Sequence, residues 1–198
     1  MSKREKPLYT LIPLEEFKAV LGVDDRDDKL AGYCLVTSSY TIEQHCKRRF
    51  LRKKYFERLA FTGDLFLPFR EYPVISINRE QVTGNNGEKI EAEYYRVIPD
   101  FGTDIDLPFA IELSPVVRKF RFSEIKVVYT AGYTLAKVPP DLSSACLELA
   151  SWNMARYKGR RIGTTGNVRG QGKDGEHFEP SMPENVKALL EPYRRKVI

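Results

Sequence analysis

The residues with the most obvious chemical potential are a glycine pattern and a cluster of aspartates. Gly170, Gly172 and Gly175 match GxGxxG, which binds a dinucleotide pyrophosphate when it follows a buried strand and begins a helix. Here a polar segment precedes the match and Glu-His-Phe-Glu-Pro follows it, so nucleotide binding is not expected. The acids of residues 24–28 lack the glycine of a calcium-binding loop and are instead expected at a helix N-terminus.

The sequence lacks the residue patterns that nucleophilic and redox catalysis need. His45 and His177 are the only histidines, and neither accompanies a Gly-x-Ser-x-Gly sequence. His45 and Cys46 are adjacent in a helical segment and therefore point apart, so His45 is expected at the surface. The cysteines, Cys34, Cys46 and Cys146, are odd in number and widely spaced, which is typical of reduced, buried thiols. We therefore expect no catalytic residue, no metal, no cofactor and no enzyme activity, although a hydrolase whose carboxylates converge from distant segments stays open on the residues alone.

Basic residues form two groups that suit an anionic or acidic partner. The chain carries 32 Lys and Arg against 27 Asp and Glu, which gives a formal net charge of +5. One group lies within residues 47–58, and the other lies in the glycine-rich segment 158–183 and the tail 194–198. Because neutralised phosphates release counterions, a small basic DNA- or RNA-binding regulatory protein remains an open alternative.

Helical patterns occupy the start of the chain. Pro13 and Gly22 predict a short helix over 14–21, because proline favours the beginning of a helix and glycine its end. A longer helix is predicted from about 27 to 50, with acids at its start and Lys-Arg-Arg at its end. Its packing face follows spacings of three and four residues and consists of Leu35, Ser39, Ile42, Cys46 and Phe50.

The middle of the chain has the composition of β-structure. Short runs rich in β-branched and aromatic residues, separated by turn formers, predict strands over 55–61, 74–82, 94–98, 110–113 and 125–129. Thr-Gly-Asn-Asn-Gly at 83–87 predicts a hairpin, since Asn and Gly tolerate positive φ. We therefore expect a small antiparallel β insertion over residues 51–133.

The C-terminal part returns to helix. Helices are predicted from 139 to about 157 and from 183 to about 193, and the intervening glycine-rich segment has no periodicity. The predicted fold class is thus α+β: a helical core, 1–50 and 134–198, that carries the β insertion as part of one structural unit. No run of about 18 apolar residues is present, so no membrane span is expected.

The most distinctive sequence joins the last predicted strand to the next helix. Residues 125–133 read Ile-Lys-Val-Val-Tyr-Thr-Ala-Gly-Tyr, and Val-Pro-Pro-Asp-Leu-Ser-Ser-Ala follows at 138–145. This resembles the head–tail connector, or adaptor, proteins of tailed double-stranded DNA bacteriophages, in which a strand ending in Tyr-x-Ala-Gly-Tyr precedes a Pro-Asp-Leu helix start. The segments 42–50 and 73–77 are similar to the end of that family's first long helix and to its Pro-Val-x-x-Ile strand. The resemblance covers about 14–157 and 183–193.

The resemblance implies a structural virion protein of the head–tail neck, present in the host cytoplasm during assembly. Members of the family are not enzymes. They form a ring, usually of twelve subunits, beneath the portal vertex. The ring extends the DNA channel, helps retain the packaged DNA and joins the head to the neck or tail. The implied partners are further copies of the chain, the portal protein, the next neck or tail-completion protein, and double-stranded DNA that passes through without sequence-specific binding; a membrane is not among them.

The resemblance also implies roles for particular residues. The exposed basic end of the second helix, with Arg48, Arg49 and Arg52, is expected to face the channel or a neighbouring subunit, and the face of that helix and the β insertion are the expected ring contacts. The expected portal-docking residues are Arg160, Arg161, Arg169, Lys173, Tyr193, Arg194, Arg195, Lys196 and Ile198. The expected determinants of the fold are Tyr129, Gly132, Tyr133, Pro140, Leu149 and Trp152.

Overall fold

The computed structural model describes residues 9–99, 108–120, 122–159 and 182–195. The chain forms two compact units, a helical unit from Met1–Lys47 and Val138–Ile198, and a β unit from Arg48–Lys137. The predicted α+β fold class is confirmed. The boundaries of the β unit fall at 48 and 137, against the 51 and 133 expected from the sequence.

The helical unit is built from four α-helices within the described ranges. They are α1 (Leu14–Leu21), α2 (Asp28–Cys46), α3 (Pro140–Lys158) and α4 (Glu184–Leu190), and a 3₁₀ turn over Glu191–Tyr193 follows α4. Helix α2 packs on α1 and α3, and α3 also packs on α4. The side chains between them are fully buried and include Leu35, Ile42, Leu142, Leu149, Val186 and Leu190.

The predicted packing face of α2 is confirmed, but the predicted end of the helix is wrong. Leu35, Ser39, Ile42 and Cys46 are all fully buried. The helix ends at Cys46 because Lys47 adopts a left-handed conformation with φ of 55°. Phe50 is buried as its spacing suggests, yet it lies beyond the helix, because the chain must leave the helical path to begin the β unit.

The β unit contains two antiparallel sheets of three strands each within the described residues. One has the order β1-β6-β3 and the other β2-β5-β4. The strands are β1 (Lys53–Ala60), β2 (Phe66–Pro68), β3 (Val74–Gly84), β4 (Tyr95–Pro99), β5 (Pro108–Leu113) and β6 (Glu124–Ala131). The five predicted strands are confirmed. Strand β2 was not predicted, because three residues are too few to show an alternating pattern.

The hairpin predicted after β3 is confirmed by its backbone hydrogen bonds. The Gly84 amide donates to the carbonyl of Glu88 at 2.8 Å, and the Ile90 amide donates to the carbonyl of Val82 at 2.9 Å. Gly87 supplies the positive φ, 83°, that this reversal requires. Inward-facing apolar residues of the strands then form the core of the unit, which includes Leu59, Val82, Ile111, Ile125, Val127 and Tyr129.

Candidate interaction surfaces

The Ala-Gly-Tyr sequence fastens the end of β6 to the residues before β1. Gly132 has φ of 98°, and a Cβ atom on it would lie 2.7 Å from the carbonyl oxygen of Phe50. The Tyr133 amide donates to that same oxygen at 2.7 Å, and the Arg52 amide donates to the carbonyl of Tyr133 at 2.8 Å. Only glycine fits this close backbone approach, so the structural role predicted for the motif has a clear physical basis.

Tyr129 lies at the centre of a buried polar network. Its hydroxyl donates to the carboxylate of Glu57 at 2.6 Å and accepts from the backbone amide of Glu71 at 3.2 Å. Burial raises the pKa of this phenol, and the carboxylate of Glu57 raises it further. The hydroxyl is therefore a neutral structural donor rather than a reactive group, because its phenolate form is strongly disfavoured.

Glu71 is a buried carboxylate that holds the chain where it enters the β unit. It accepts from the backbone amide of Arg49 at 2.7 Å, and burial raises its pKa. The Arg70 amide in turn donates to both carboxylate oxygens of Glu57 at 3.1 Å. Half-buried Glu57 and buried Glu71 thus each satisfy backbone donors, which is the role expected of acids withdrawn from solvent that stabilise a fold.

The expectation that Arg48 is exposed is wrong. Its side chain is buried at 3% exposure. The guanidinium lies over the ring of Tyr72, 3.3 Å from the centroid, and 5.0 Å from the centroid of Phe50, and it donates to the carbonyl of Tyr72. A planar guanidinium stacks well on aromatic rings, and this explains why an arginine in a basic run is drawn inward. Arg49 and Arg52 are exposed, so the channel or subunit contact remains a prediction for these two.

A basic and partly apolar surface covers the outer side of the sheet formed by β1 and β6. Residues opposite each other in the ladder share a side. The pair Ala60 with Glu124 lies at one end of this side, where the Glu124 carboxylate is 3.8 Å from the Arg58 guanidinium. The other outward pairs are Lys54 with Thr130, Phe56 with Val128, and Arg58 with Lys126. Phe56 is 59% exposed although it lies in the middle of its strand. We call the six residues of these pairs the basic sheet face.

The C-terminal residues that were expected to dock on the portal divide into three groups. Tyr193 is buried at 3% exposure, so its expected availability for docking is wrong; it belongs to the core of the helical unit. The Arg195 amide donates to the carbonyl of Cys46 at 2.9 Å, and exposed Arg194 pairs with Glu191 at 3.1 Å. The remaining expected positions, Arg160, Arg161, Arg169, Lys173, Lys196 and Ile198, lie outside the described residues.

The expected determinants of α3 and the surface histidine can also be placed. Pro140 begins α3 and Leu149 is fully buried, whereas Trp152 is half-buried with the guanidinium of Arg156 4.3 Å from its ring centroid. His45 was expected at the surface, but it is half-buried and burial lowers the pKa of its imidazole.

The aspartate cluster forms ion pairs at the end of α1. Lys18 lies within ion-pair distance of both Asp25 and Asp28, and Asp24 accepts from the Arg26 amide at 2.9 Å. No group of three or more His, Cys, Asp or Glu residues in the described part of the chain is arranged to hold a metal ion. Within the same residues, no helix is long and apolar enough to cross a lipid bilayer.

Sequence reasoning missed a cleft beside this cluster. The cleft has a volume of about 320 Å³ and lies between the C-terminal ends of α1 and α3. Leu21, Val23 and Met154 supply apolar walls, while Asp24 and Asp27 supply acids. Lys158 also lines it and pairs with Asp27. We call it the acidic cleft; no sequence pattern could reveal it, because its walls come from segments about 130 residues apart.

Comparisons with known proteins give a structural likeness over the whole chain. No protein-family model matches the sequence, and no curated protein matches it. A chain in the neck of an empty GTA particle, computed with C6 symmetry, has a TM-score of 0.58 and 20% identity, and the match covers 100% of this chain and 97% of that one. A chain in the virion of a native gene transfer agent (GTA) particle gives the same score and identity, with coverage of 99% and 96%.

A third solved structure agrees with these two. A chain in the neck of a native GTA particle, computed with C12 symmetry, has a TM-score of 0.54 and 18% identity, covering 100% of this chain and 97% of that one. At such low identity the likeness shows that the fold is shared. The shared fold spans both units, and this agrees with the resemblance to connector proteins found in the sequence.

Proposed function

We propose that the chain is a structural subunit of the neck of a tailed phage or phage-like particle, a head–tail connector that forms a ring beneath the portal vertex. In this position the ring extends the DNA channel, helps retain packaged DNA and joins the head to the next neck or tail protein. The portal, further copies of the chain and the next neck protein are its partners, and DNA passes through it without sequence-specific binding.

The observation that carries the proposal is the full-length likeness to chains of GTA necks and virions. Both chains are covered almost completely, so the likeness is not confined to one common substructure. Two of the three compared structures are necks, computed with C6 and C12 symmetry, which is consistent with a ring of subunits. The same chain carries the Tyr-x-Ala-Gly-Tyr sequence, whose glycine is sterically required where the end of the β unit meets Phe50 and Leu51 at its start.

Deletion of the gene in the particle that encodes it tests the proposal. We expect heads that have lost DNA and are not joined to tails, together with free tails, when particles are examined by electron microscopy. The purified wild-type particles should contain the polypeptide in the neck. Normal tailed particles from the deletion strain, or particles without the polypeptide, would contradict the proposal.

Portal docking by the C-terminal segment is the finer part of the proposal. Removal of residues 160–175 together with 196–198 should weaken co-assembly with the portal, since the basic residues of these segments are the proposed contacts. A matched variant that reverses the charge of exposed Lys119 should leave co-assembly unchanged. Normal decoration of the portal by the truncated chain in negative-stain images would show that docking uses another surface.

The alternative function is sequence-tolerant DNA or RNA binding by the basic sheet face. Its support is that Lys54 and Arg58 flank an exposed aromatic ring, a combination that also suits nucleic acid. It requires duplex or single-stranded DNA to bind the isolated chain with an affinity that falls steeply with salt. No such binding is expected if the chain acts only as a neck subunit.

A further inference from the structure

Two surfaces of the chain carry opposite charge. Residues 14–28, which form α1 and the aspartate cluster, contain six acids and two bases. Residues 47–58, which lead into and form most of β1, contain one acid and seven bases, of which six are exposed and Arg48 is buried. A chain that carries both a strongly acidic and a strongly basic surface is electrostatically complementary to other copies of itself.

The basic surface presents one prominent apolar side chain. Phe56 is 59% exposed at the centre of the basic sheet face, and the guanidinium of Arg58 lies 5.9 Å from its ring centroid. Lys54 is on the other side of Phe56 in the same strand and is exposed. Exposed aromatic rings with basic neighbours are typical anchor residues of protein interfaces.

The acidic surface presents a matching depression. The volume of the acidic cleft, about 320 Å³, is at the lower end of the range for small-molecule pockets and suits one aromatic side chain. Leu21, which lines the cleft, is 37% exposed, and Val20, which precedes it in α1, is 60% exposed. Asp24 at its rim is exposed and Asp27 is half-buried. Their ion-pair partners, Arg26 and Lys158, are exposed, and such pairs exchange partners at little cost.

We propose that Phe56 of one copy occupies the acidic cleft of the next copy, with Lys54 and Arg58 of the first copy against Asp24 and Asp27 of the second. The inference rests on the proposed function, because it names the contact between neighbouring subunits of the ring. The contact is heterologous, since it joins two different patches, and a heterologous contact that closes on itself generates a ring.

The structure favours a second copy over other occupants for two reasons. Phe56 and the acidic cleft lie on the same chain, so every subunit supplies one of each. Within a closed ring, every Phe56 and every cleft therefore has a partner. The packing face of α2, the ring contact expected from the sequence, is already buried in the helical unit and is not available to a neighbour.

Cross-linking between two single-cysteine additions tests the contact directly. Phe56→Cys and Leu21→Cys are made in separate full-length chains, and a short bismaleimide is added to each chain alone and to the mixture. The native Cys34, Cys46 and Cys146 are buried, so the wild-type chain serves as the background. We expect a cross-linked dimer in the mixture only, both in the free protein at high concentration and in assembled particles.

The matched control replaces Phe56→Cys by Phe66→Cys, which alters another exposed phenylalanine, 41% exposed, in the other sheet of the β unit. This mixture should give no dimer above background. Reversal of charge in Lys54→Glu with Arg58→Glu, added to the Phe56→Cys chain, should reduce the yield of the original product at least several-fold. Both changes are at exposed positions and should leave the fold intact.

Three results would overturn the inference. They are absence of the mixed product in both free protein and particles, an equal product with the Phe66→Cys control, and a dimer from the Phe56→Cys chain alone, which would show an isologous contact. Binding of duplex DNA that is abolished by Lys54→Glu with Arg58→Glu, in the absence of cross-linking, would assign the face to nucleic acid instead.

Failure of the inference is distinguishable from failure of the proposed function. If the polypeptide is found in necks but the cross-link does not form, the neck function stands and the subunit contact lies elsewhere. If the cross-link forms but deletion of the gene leaves normal tailed particles, the self-contact stands and the neck assignment is wrong.

Discussion

Gly132 combines a left-handed backbone conformation with a close backbone approach that leaves no room for a side chain. Its φ of 98° disfavours any other residue, and the carbonyl oxygens of Phe50 and Leu51 leave no space for a side chain. Gly63 has a similar φ, 104°, but no atom lies within 4 Å of the place where its Cβ would be. The two glycines therefore separate the cost of the backbone conformation from the cost of the close approach.

Gly132→Ala should lower the free energy of unfolding by about 3 kcal/mol, since backbone strain and a backbone clash act together. Gly63→Ala should cost only about 1 kcal/mol, the strain alone. Urea unfolding followed by circular dichroism measures both values. Equal losses in the two variants would show that the close approach at Gly132 relaxes without cost.

Glu71 should make stability depend on pH. Its folded pKa is raised by burial above the ordinary value of 4.5, so the folded state binds more protons than the unfolded state between these two pKa values. Stability conferred by this group is therefore present below 4.5 and decreases as pH rises through the folded pKa. Glu71→Gln, which can still accept from the Arg49 amide, should remove this decrease.

The measurement is the difference in unfolding free energy between wild type and Glu71→Gln across the acidic to neutral range. The variant should gain stability relative to wild type as pH increases. Asp64→Asn, at an exposed carboxylate of the same unit, serves as the control for a carboxylate-to-amide change at the surface. Parallel pH profiles for wild type and Glu71→Gln would contradict the burial argument.

At the scale of elements, the end of α2 is the point where the sequence prediction was wrong. The apolar spacing continues through Phe50, yet Lys47 takes φ of 55° and its amide closes the helix on the carbonyl of Gln44 at 3.3 Å. A periodic pattern predicts which residues are buried, but it does not show where the helix ends. Phe50 is buried although it lies beyond the end of α2. Glycine normally occupies such a C-terminal position, and here lysine does.

Lys47→Gly should therefore raise the unfolding free energy by about 1 kcal/mol, because glycine adopts the left-handed conformation without steric cost. Lys47→Ala is the matched control and should not stabilise the chain, since alanine meets the same steric cost as lysine. Thermal unfolding of the two variants compares them. Equal melting temperatures would show that the conformation at residue 47 carries no strain.

At the scale of the whole molecule, all three cysteines lie in the helical unit, so their reactivity shows whether that unit is folded. Cys34, Cys46 and Cys146 belong to this unit and are buried, and burial raises the pKa of Cys34 and of Cys146 to about 11. Thiolate is the reactive form of cysteine, so the folded chain should react very slowly with a thiol reagent. Full labelling should appear only at denaturant concentrations that unfold the helical unit.

Mass spectrometry after timed labelling checks this prediction. Unfolded chain should acquire three labels rapidly, one for each cysteine in the sequence. Rapid labelling of one cysteine in native buffer would contradict the burial of that side chain. The same assay supplies the background for the cross-linking experiment, because it measures how slowly the native thiols react.

The sequence by itself determined the elements and the motif that joins them. Spacings of three and four placed Leu35 and Ile42 in a core, alternation and turn formers located five of the strands, and the Ala-Gly-Tyr sequence marked the junction at Gly132. These features depend on local backbone preference and on the period of the side chains, and both are written directly in the order of residues.

Only the tertiary structure decided which charged residues are available to a partner. Arg48 and Tyr193 looked suitable for an interface, but stacking on Tyr72 and packing in the helical unit withdraw them from solvent. Conversely, the exposure of Phe56 and the cleft beside Asp24 depend on pairing and packing between residues far apart in the sequence. Exposure is a property of the folded surface, and for this reason no periodic pattern within one segment could reveal it.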